Sequence, residues 1–311
     1  MFTPIVSVPT SAPLLEPPDD AADPPTGTLF ERDIMGVDSE SVEQGSLSGG
    51  KNGVSNEAAR WPNAEVPYVF SKLYERDAAR KHIVLTAMRG FDRTCVRFIP
   101  RKNERDYIVI NAGNRLCASF VGNQHQGKQD VFLSIGACTD ELGKIQHELM
   151  HAIGFYHEQS RIDRDDYVEI NWDNVQSRGD FQRYDNTTAF GLPYDFGSIL
   201  HYGTNDLGIN ESVWTIRPLL QYRANYSSAI GQRLWLSDSD EEKINRMYKC
   251  GKHRPPVPEG FATTDVSDHI MESTTSSYRT ARRKSSTPSD RTTTRPGIMA
   301  RMGKFFKSLF G

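Results

Sequence analysis

The spacing of apolar residues divides the chain into a patterned middle and two polar ends. Residues 1 to about 50 are rich in Pro, Asp, Ser and Gly, and the residues beyond Cys250 are rich in Ser, Thr, Pro and Arg. Neither end shows an apolar period, which is typical of disordered segments. We therefore expect one globular domain, residues 52–250, between an N-terminal segment, 1–51, and a C-terminal tail, 251–311.

Helical and strand periods both occur in the middle region. Apolar residues at helical spacing predict one helix over 77–95 and a second over 139–153, and a last helix is predicted over 238–248. Short strands are predicted at 66–70, 95–99, 107–110, 118–121 and 131–135. Residues 171–235 show little period. This order predicts an α+β domain with a mixed α/β lobe followed by a loop-rich second lobe.

Charge and hydropathy give no sign of nucleic-acid binding or of a transmembrane segment. The formal net charge is only -3 over 311 residues, which gives no reason to expect nucleic-acid binding. No run of eighteen apolar residues exists, so no transmembrane segment is predicted. Residues 298–310 interleave basic and apolar side chains, and this pattern suits either a short amphipathic helix that touches a membrane or a partner, or a frayed tail.

Four cysteines leave the redox state open. None form a Cys-x-x-Cys pair, so a structural zinc knuckle is not expected. Two disulfides, with three possible pairings, and four buried thiols are both compatible with the count. Glycosylation triplets favour secretion, although such triplets also arise by chance; they begin at Asn186, Asn210 and Asn225. The first twenty residues contain five prolines and no evident signal peptide.

The second predicted helix carries the motif His147-Glu148-x-x-His151. Residues four apart lie on one helix face, so both imidazoles can bind one ion, and neutral imidazole suits zinc. Glu148 projects beside them and can take a proton from the attacking water. Gly154 can adopt positive φ and end the helix, so that His157 can return to the ion. A single helix histidine is more often a core residue, but this spacing predicts one catalytic zinc per chain.

The extended motif resembles the zinc signature of the metzincin proteases, and within them the chain resembles the astacin family. The resemblance rests on residues 94–98, 147–161, 163–165, 167–168, 198–203 and 236–240, and it covers roughly residues 52–250. It implies a metzincin-type two-lobed zinc protease domain with a mixed sheet and an active-site helix. The implied activity is that of an endopeptidase, with proteins or peptides as substrates.

The resemblance also implies the roles of single residues. His147, His151 and His157 would bind zinc, and Glu148 would be the general base. Tyr202 would donate a hydrogen bond to the oxyanion, the alternative being an ordinary packed tyrosine. The implied disulfides are Cys95–Cys250 and Cys117–Cys138, and this pairing favours a secreted, oxidised protein.

Activation of a precursor is implied as well. Family propeptides carry a Phe-x-Gly-Asp segment whose aspartate occupies the open zinc position, and residues 30–33 correspond to it, so Asp33 is expected to block zinc in the zymogen. After cleavage near Lys51, the new amino terminus at Asn52 would approach Glu158. The alternative for Glu158 is a solvated surface acid.

The chain departs from the family at two positions. Leu200 stands where the family has methionine, an exchange of similar volume that should preserve activity. Arg32 replaces the glycine of the switch segment and would be strained if its φ is positive. An acidic residue after the cut is often favoured in the family, and Arg217 is a candidate for the basic side chain that reads it. The alternatives to a protease are a zinc-binding pseudoprotease and a secreted matrix or interaction protein.

Overall fold

The computed structural model describes residues 17–22, 24, 29–36 and 53–251, with the exception of 114, 185 and 186. The chain divides into two units, residues 1–256 and 257–311, and every described residue belongs to the first. The tail beyond Gly251, the cleavage boundary at Lys51 and Asn52, and the glycosylation candidate Asn186 lie outside the described residues. Within the described part, no helix is both long and apolar enough to cross a membrane.

Short strands and five helices make up the described domain. In chain order the strands of the described residues are β1 (Ile34–Met35), β2 (Gly53–Val54), β3 (Glu65–Phe70), β4 (Arg97–Pro100), β5 (Tyr107–Asn111), β6 (Cys117–Phe120), β7 (Lys128–Leu133), β8 (Val168–Ile170), β9 (Thr187–Thr188) and β10 (Ile216–Pro218). The α-helices of the same residues are α1 (Lys72–Arg76), α2 (Ala78–Arg89), α3 (Leu142–Ala152), α4 (Leu220–Tyr226) and α5 (Asp238–Met247).

The main sheet has six strands in the order β1-β6-β7-β5-β3-β4. Strands β7, β5, β3 and β4 run parallel, β6 runs antiparallel to β7, and β1 lies parallel to β6 at the edge. The three apolar residues from Ile108 to Ile110 are all buried, as expected for a strand that is covered on both faces. The predicted α+β class and mixed sheet are confirmed.

Two of the three apolar clusters among the described residues correspond to the two predicted lobes. One core, which includes Ile108 and Leu149, joins the sheet to α2 and α3. The other surrounds Phe181 and the antiparallel pair β8–β10. The second lobe also contains α4, which was not predicted from the sequence. This helix buries none of its residues, so no apolar period marks it.

Capping side chains set where helices α2 and α5 begin. The side chain of Asp77 accepts from Arg80 N and begins α2, which ends at Arg89 with Gly90 after it, so the predicted helix over 77–95 was too long. Helix α5 begins with a reciprocal capping box between Ser237 and Asp240. The same Asp240 carboxylate also reaches the second lobe, as described below.

Two disulfides tie the domain together. Cys95 is bonded to Cys250, which joins the residues just before β4 to those just after α5, and Cys117 is bonded to Cys138. No free cysteine remains, and all four cysteines lie in the described part of the chain. This is the pairing that the family resemblance implies.

Candidate metal centre and active site

Helix α3 and the turn after it bring three imidazoles together. His147 and His151 lie one turn apart on α3, and Gly154 ends the helix with a φ of +114°. The chain then reverses, and His157 returns to the same point. The Nε2 atom of His147 lies 3.1 Å from Nε2 of His151 and 3.3 Å from Nε2 of His157. Tetrahedral zinc with Zn–N bonds of roughly 2.0–2.1 Å requires nitrogens about 3.3 Å apart.

Each imidazole is oriented by a contact from its other nitrogen. Nδ1 of His147 donates to the carbonyl oxygen of Ile199 at 2.8 Å, and Nδ1 of His151 donates to that of Phe155 at 2.6 Å. Nδ1 of His157 lies 2.5 Å from Oε2 of Glu31. With its hydrogen on Nδ1, each ring presents the lone pair of Nε2 to the common point, which is the arrangement of metal-binding histidines.

Asp33 supplies a fourth ligand atom. Its Oδ2 atom lies 3.2 Å from Nε2 of both His147 and His157, and its Oδ1 atom lies 4.0 Å from Nε2 of His151. One ligand atom from each of these four residues lies within 4.8 Å of the others. Burial opposes ionisation of Asp33, but the neighbouring imidazoles, chiefly through the charge of His157, outweigh it and hold the pKa of Asp33 well below the usual range.

Unsatisfied oxygens at this point support a bound cation. Oδ1 of Asp33 and Oε2 of Glu148 are buried, and neither has a hydrogen-bond partner in the described part of the chain. Leaving a buried carboxylate oxygen unpaired costs stability unless a cation or water satisfies it. Three nitrogens and one oxygen that lie within 4.8 Å of one another are a suitable donor set for zinc. The residues present therefore fit the zinc ion that the sequence predicts.

The protonation of the three imidazoles differs. Burial, together with the charge of Arg233, lowers the pKa of His147 to about 4, and burial lowers that of His151 well below its usual range. Burial has the same tendency at His157, but the carboxylates of Asp33 and Glu31 outweigh it and raise the pKa to about 10. The covering carboxylates thus favour positive charge at this point, whether a proton or a metal ion supplies it.

Glu148 lies on α3 beside the imidazoles and is only 3% exposed. Burial raises the pKa of Glu148 well above its usual range, and the negative charge of Asp33 adds to the shift. A carboxyl group with a raised pKa next to a metal site is suited to accept and return a proton.

The turn over residues 198–202 packs beneath the three histidines. Ser198 Oγ donates to Asp240 at 2.6 Å and Ile199 N donates to the same carboxylate at 2.9 Å, so α5 fixes this turn. Leu200 is fully buried in the position that the family fills with methionine. The hydroxyl of Tyr202 donates to the backbone carbonyl of Glu31 at 3.1 Å, and its ring centroid lies 4.7 Å from that of His157.

The N-terminal segment covers the site with a tight turn. Phe30 and Ile34 exchange two backbone hydrogen bonds of 2.9 Å, and Asp33 O accepts from Ser119 N at the edge of the sheet. Glu31 and Arg32 have φ values of +50° and +71°. Arg32, where family propeptides have glycine, is therefore in the backbone region that disfavours a side chain.

Glu158 is fully buried, so the solvated-acid alternative is wrong. Its carboxylate pairs with Lys243 Nζ at 2.5 Å and with Arg161 Nη1 at 3.0 Å, and it accepts from Asp195 N at 2.9 Å. The expected approach of a new amino terminus at Asn52 stays a prediction, because that residue lies outside the described part. The remaining glycosylation candidates, Asn210 and Asn225, are exposed.

Three side chains at the site were missed from the sequence. The sequence marks Glu31 only as part of the switch segment. Lys243 is a buried lysine among the acids of α5, and Arg233 interacts electrostatically with Asp33 and Glu148. The candidate Arg217 instead pairs with Glu169 at 2.7 Å. No local pattern distinguishes Arg233 from surface arginines, since its place depends on the packing of two lobes.

Comparisons with known proteins agree with this geometry. A family model described as "Astacin (Peptidase family M12A)" matches residues 53–249. The chain is 39% identical over 211 residues to an astacin-like metalloendopeptidase of Coturnix japonica, covering 65% of this chain and 49% of that protein. It is 40% identical over 227 residues to meprin A subunit beta of Homo sapiens, covering 71% of this chain and 30% of that protein.

A solved structure shows the same fold. High choriolytic enzyme 1, a hatching enzyme zinc-protease from Oryzias latipes, is 36% identical and aligns with a TM-score of 0.58 over 64% of this chain and 100% of that chain. A low choriolytic enzyme of the same fish is 40% identical over 204 residues, covering 62% of this chain and 70% of that protein. The chain thus spans half or less of the first two relatives and more of the choriolytic enzymes.

Proposed function

Because the chain belongs to the astacin family of zinc metalloproteases, peptidase family M12A, we propose that it is a zinc-dependent endopeptidase made as an inactive precursor. The observation that carries this proposal is the convergence of three buried imidazoles beside the carboxyl group of Glu148, with Nε2 of His147 lying 3.1 Å and 3.3 Å from the Nε2 atoms of His151 and His157. His147, His151 and His157 are the proposed ligands of one zinc ion, and 52–250 is the proposed catalytic domain.

Zinc at this site would polarise the scissile carbonyl and lower the pKa of the attacking water. Glu148 takes the proton of that water on its carboxylate and passes it to the nitrogen of the leaving amine. In the structure the charge of Asp33 contributes to the raised pKa of Glu148. Departure of Asp33 would remove that contribution.

Tyr202 is the second residue with a proposed role in the reaction. Its hydroxyl donates to the backbone carbonyl of Glu31, so the N-terminal segment occupies the donor. Once the segment is removed, the same O–H can donate to the oxyanion that develops on the substrate carbonyl. Hydrogen-bond donors that face developing charge in a buried site contribute strongly to catalysis.

Asp33 is the proposed cause of latency. Its carboxylate lies at the fourth position of the histidine cluster, where the attacking water would otherwise sit. Uncut Asp33→Ala protein is expected to hydrolyse peptide while uncut wild type does not. Equal inactivity of the two uncut proteins, in the presence of saturating zinc, would reject this role.

We propose that the protein acts outside the cell on proteins or peptides. Both disulfides of the domain are of the kind that persists in oxidising compartments. Modification of Asn186, Asn210 and Asn225 and contact of residues 298–310 with a membrane or partner remain predictions. Retention of the protein inside secreting cells, with four reduced thiols, would contradict the proposed location.

Cleavage of a quenched fluorescent peptide tests the activity. The full chain is cut after Lys51, and hydrolysis is measured with and without a zinc chelator and in a Glu148→Gln variant. Chelator-sensitive hydrolysis that is lost in the variant, while zinc remains bound, supports the proposal. Zinc binding without any hydrolysis in wild type would indicate a pseudoprotease, and Leu200→Met would then be the first reversion.

A further inference from the structure

The three proposed zinc ligands differ in the source of the acceptor for Nδ1. His147 and His151 donate to carbonyl oxygens of Ile199 and Phe155, which belong to the catalytic domain itself. The partner of His157 is the carboxylate of Glu31, which belongs to the N-terminal segment. Cleavage after Lys51 therefore separates one ligand from its partner and leaves the other two partners in place.

The carboxylate of Glu31 is buried and accepts several hydrogen bonds. The side chain is fully buried, and Oε2 lies 2.5 Å from Nδ1 of His157. The other oxygen, Oε1, accepts from Ser160 Oγ at 2.7 Å and from Tyr184 Oη at 2.9 Å. Three donors thus converge on one carboxylate and fix its orientation against the imidazole. A buried carboxylate with this many donors is held as the acceptor that Nδ1–H needs.

A charged acceptor changes the ligand more than a backbone carbonyl does. A carboxylate that accepts from Nδ1–H fixes the tautomer of the ring and increases the electron density on Nε2, so the imidazole binds a metal more strongly. The catalytic domain supplies neutral carbonyls for His147 and His151, and only the removable segment supplies a negative charge, to His157.

We propose that Glu31 is a positioning residue for zinc, which acts through His157 so that the precursor holds the metal more tightly than the cleaved enzyme does. The proposal rests on the zinc site of the proposed function. It assigns the N-terminal segment two separate contributions: Asp33 occupies the fourth coordination position, and Glu31 strengthens the third histidine. Zinc is therefore bound most firmly while the chain is still latent.

A simpler role for Glu31 is to anchor the segment, and the two roles predict different results. If Glu31 only anchors, its replacement releases Asp33, and the replacement has no further effect once Asp33 is already neutralised. If Glu31 acts through His157, its replacement weakens zinc binding in either background. Asp33→Asn supplies that background, because it removes the anionic ligand and preserves the shape of the side chain.

Asp20 is a matched control within the same segment. Its carboxylate accepts from Ser71 Oγ at 2.5 Å and from Leu73 N at 3.0 Å, and it touches none of the proposed zinc ligands. Asp20→Asn therefore neutralises one carboxylate and loosens one anchor without changing the partner of His157.

Zinc dissociation constants are measured on the full uncut chains by competition with a chromogenic chelator. Glu31→Gln is expected to weaken zinc binding by roughly ten- to a hundredfold, both alone and in the Asp33→Asn background. Asp20→Asn should remain within about twofold of wild type. With cobalt(II) as the probe, Glu31→Gln should shift the visible absorption bands, and Asp20→Asn should not.

Two results would overturn the inference. One is a zinc affinity of Glu31→Gln equal to that of wild type, and the other is an effect that vanishes in the Asp33→Asn background. If the Glu31→Gln precursor folds poorly, wild type and Asp33→Asn decide the question. Cleavage of wild type must lower the zinc affinity by more than Asp33→Asn lowers it in the uncut chain. Peptide hydrolysis by the cleaved enzyme, which lacks residue 31, tests the proposed function separately.

Discussion

The substitution Gly154→Ala should lower both the free energy of unfolding and the affinity of the proposed site for zinc. Gly154 has a φ of +114°, and a Cβ there would lie 3.0 Å from Met247 Cε and 3.0 Å from Val54 Cγ2. A left-handed backbone costs an L residue about 1–2 kcal/mol, and forcing a methyl group into packed surroundings costs roughly 1–3 kcal/mol. We expect the free energy of unfolding to fall by about 2–5 kcal/mol, the sum of these two costs.

Gly136→Ala is a control that separates the backbone cost from the packing cost. It also has a positive φ, +90°, but a Cβ there would meet no described atom within 4 Å. Gly136→Ala should therefore lose only the backbone contribution, about 1–2 kcal/mol. Both exchanges restrict the unfolded chain equally, so that effect cancels in the comparison.

Urea unfolding followed by tryptophan fluorescence measures both variants as full uncut chains. A second measurement, zinc affinity by chelator competition, reports on the return of the chain to His157. Gly154→Ala should lower the zinc affinity, and Gly136→Ala should not. Equal losses of stability in the two variants would refute the packing contribution, and unchanged zinc affinity in Gly154→Ala would refute the role of this turn in placing His157.

The remaining predictions concern catalysis, specificity and pH. Tyr202→Phe in the cleaved enzyme should lower kcat by about a hundredfold with a much smaller change in KM, because the donor acts on the oxyanion. Arg233→Gln should lower kcat/KM roughly tenfold or more for peptides with an acidic residue after the cut, relative to the matched amide peptide, because its cation interacts with acids at the site. Burial lowers the pKa of His201 from 6.5 to about 4. Between these two pH values the imidazole is protonated in the unfolded chain and neutral in the folded chain. Stability from His201 is thus present above pH 6.5 and is lost as the pH falls towards 4, by about 2 kcal/mol between pH 7 and 5.

Each of these has a clear contrary outcome. A Tyr202→Phe enzyme that loses activity only through KM would place the hydroxyl in substrate binding. Equal losses on acidic and amide peptides would remove Arg233 from specificity. For His201, urea unfolding at pH 7 and 5 is compared between wild type and His201→Gln, and an unchanged pH dependence in the variant would show that another group is responsible.

Short-range patterns carried most of what could be predicted about the zinc site. His147 and His151 are four residues apart, and the period of the helix alone places them on one face. Gly154 was predicted to adopt positive φ, and it does. The strain expected at Arg32 depended on a positive φ, which the sequence left open, and its φ is +71°. The histidine spacing and the glycine turn depend on neighbouring residues, which is why the sequence could specify them.

Elements without a period were the ones that could not be predicted. Helix α4 buries no residue, and strands β1 and β2 are two residues long, so neither pattern nor length marks them. Helix α2 was predicted six residues too long at its end, because Phe91 is buried in the turn that follows and continues the apolar spacing.

By itself, the sequence determined the candidate chemistry of this protein, because it places three histidines and a glutamate at the spacing of a zinc peptidase. Only the tertiary structure decided the partners of those groups. Glu31 meets His157 across 126 positions of the chain, and Lys243 meets Glu158 across 85. Such pairs form because the two lobes and the N-terminal segment pack together, and packing between distant segments leaves no periodic trace in the sequence.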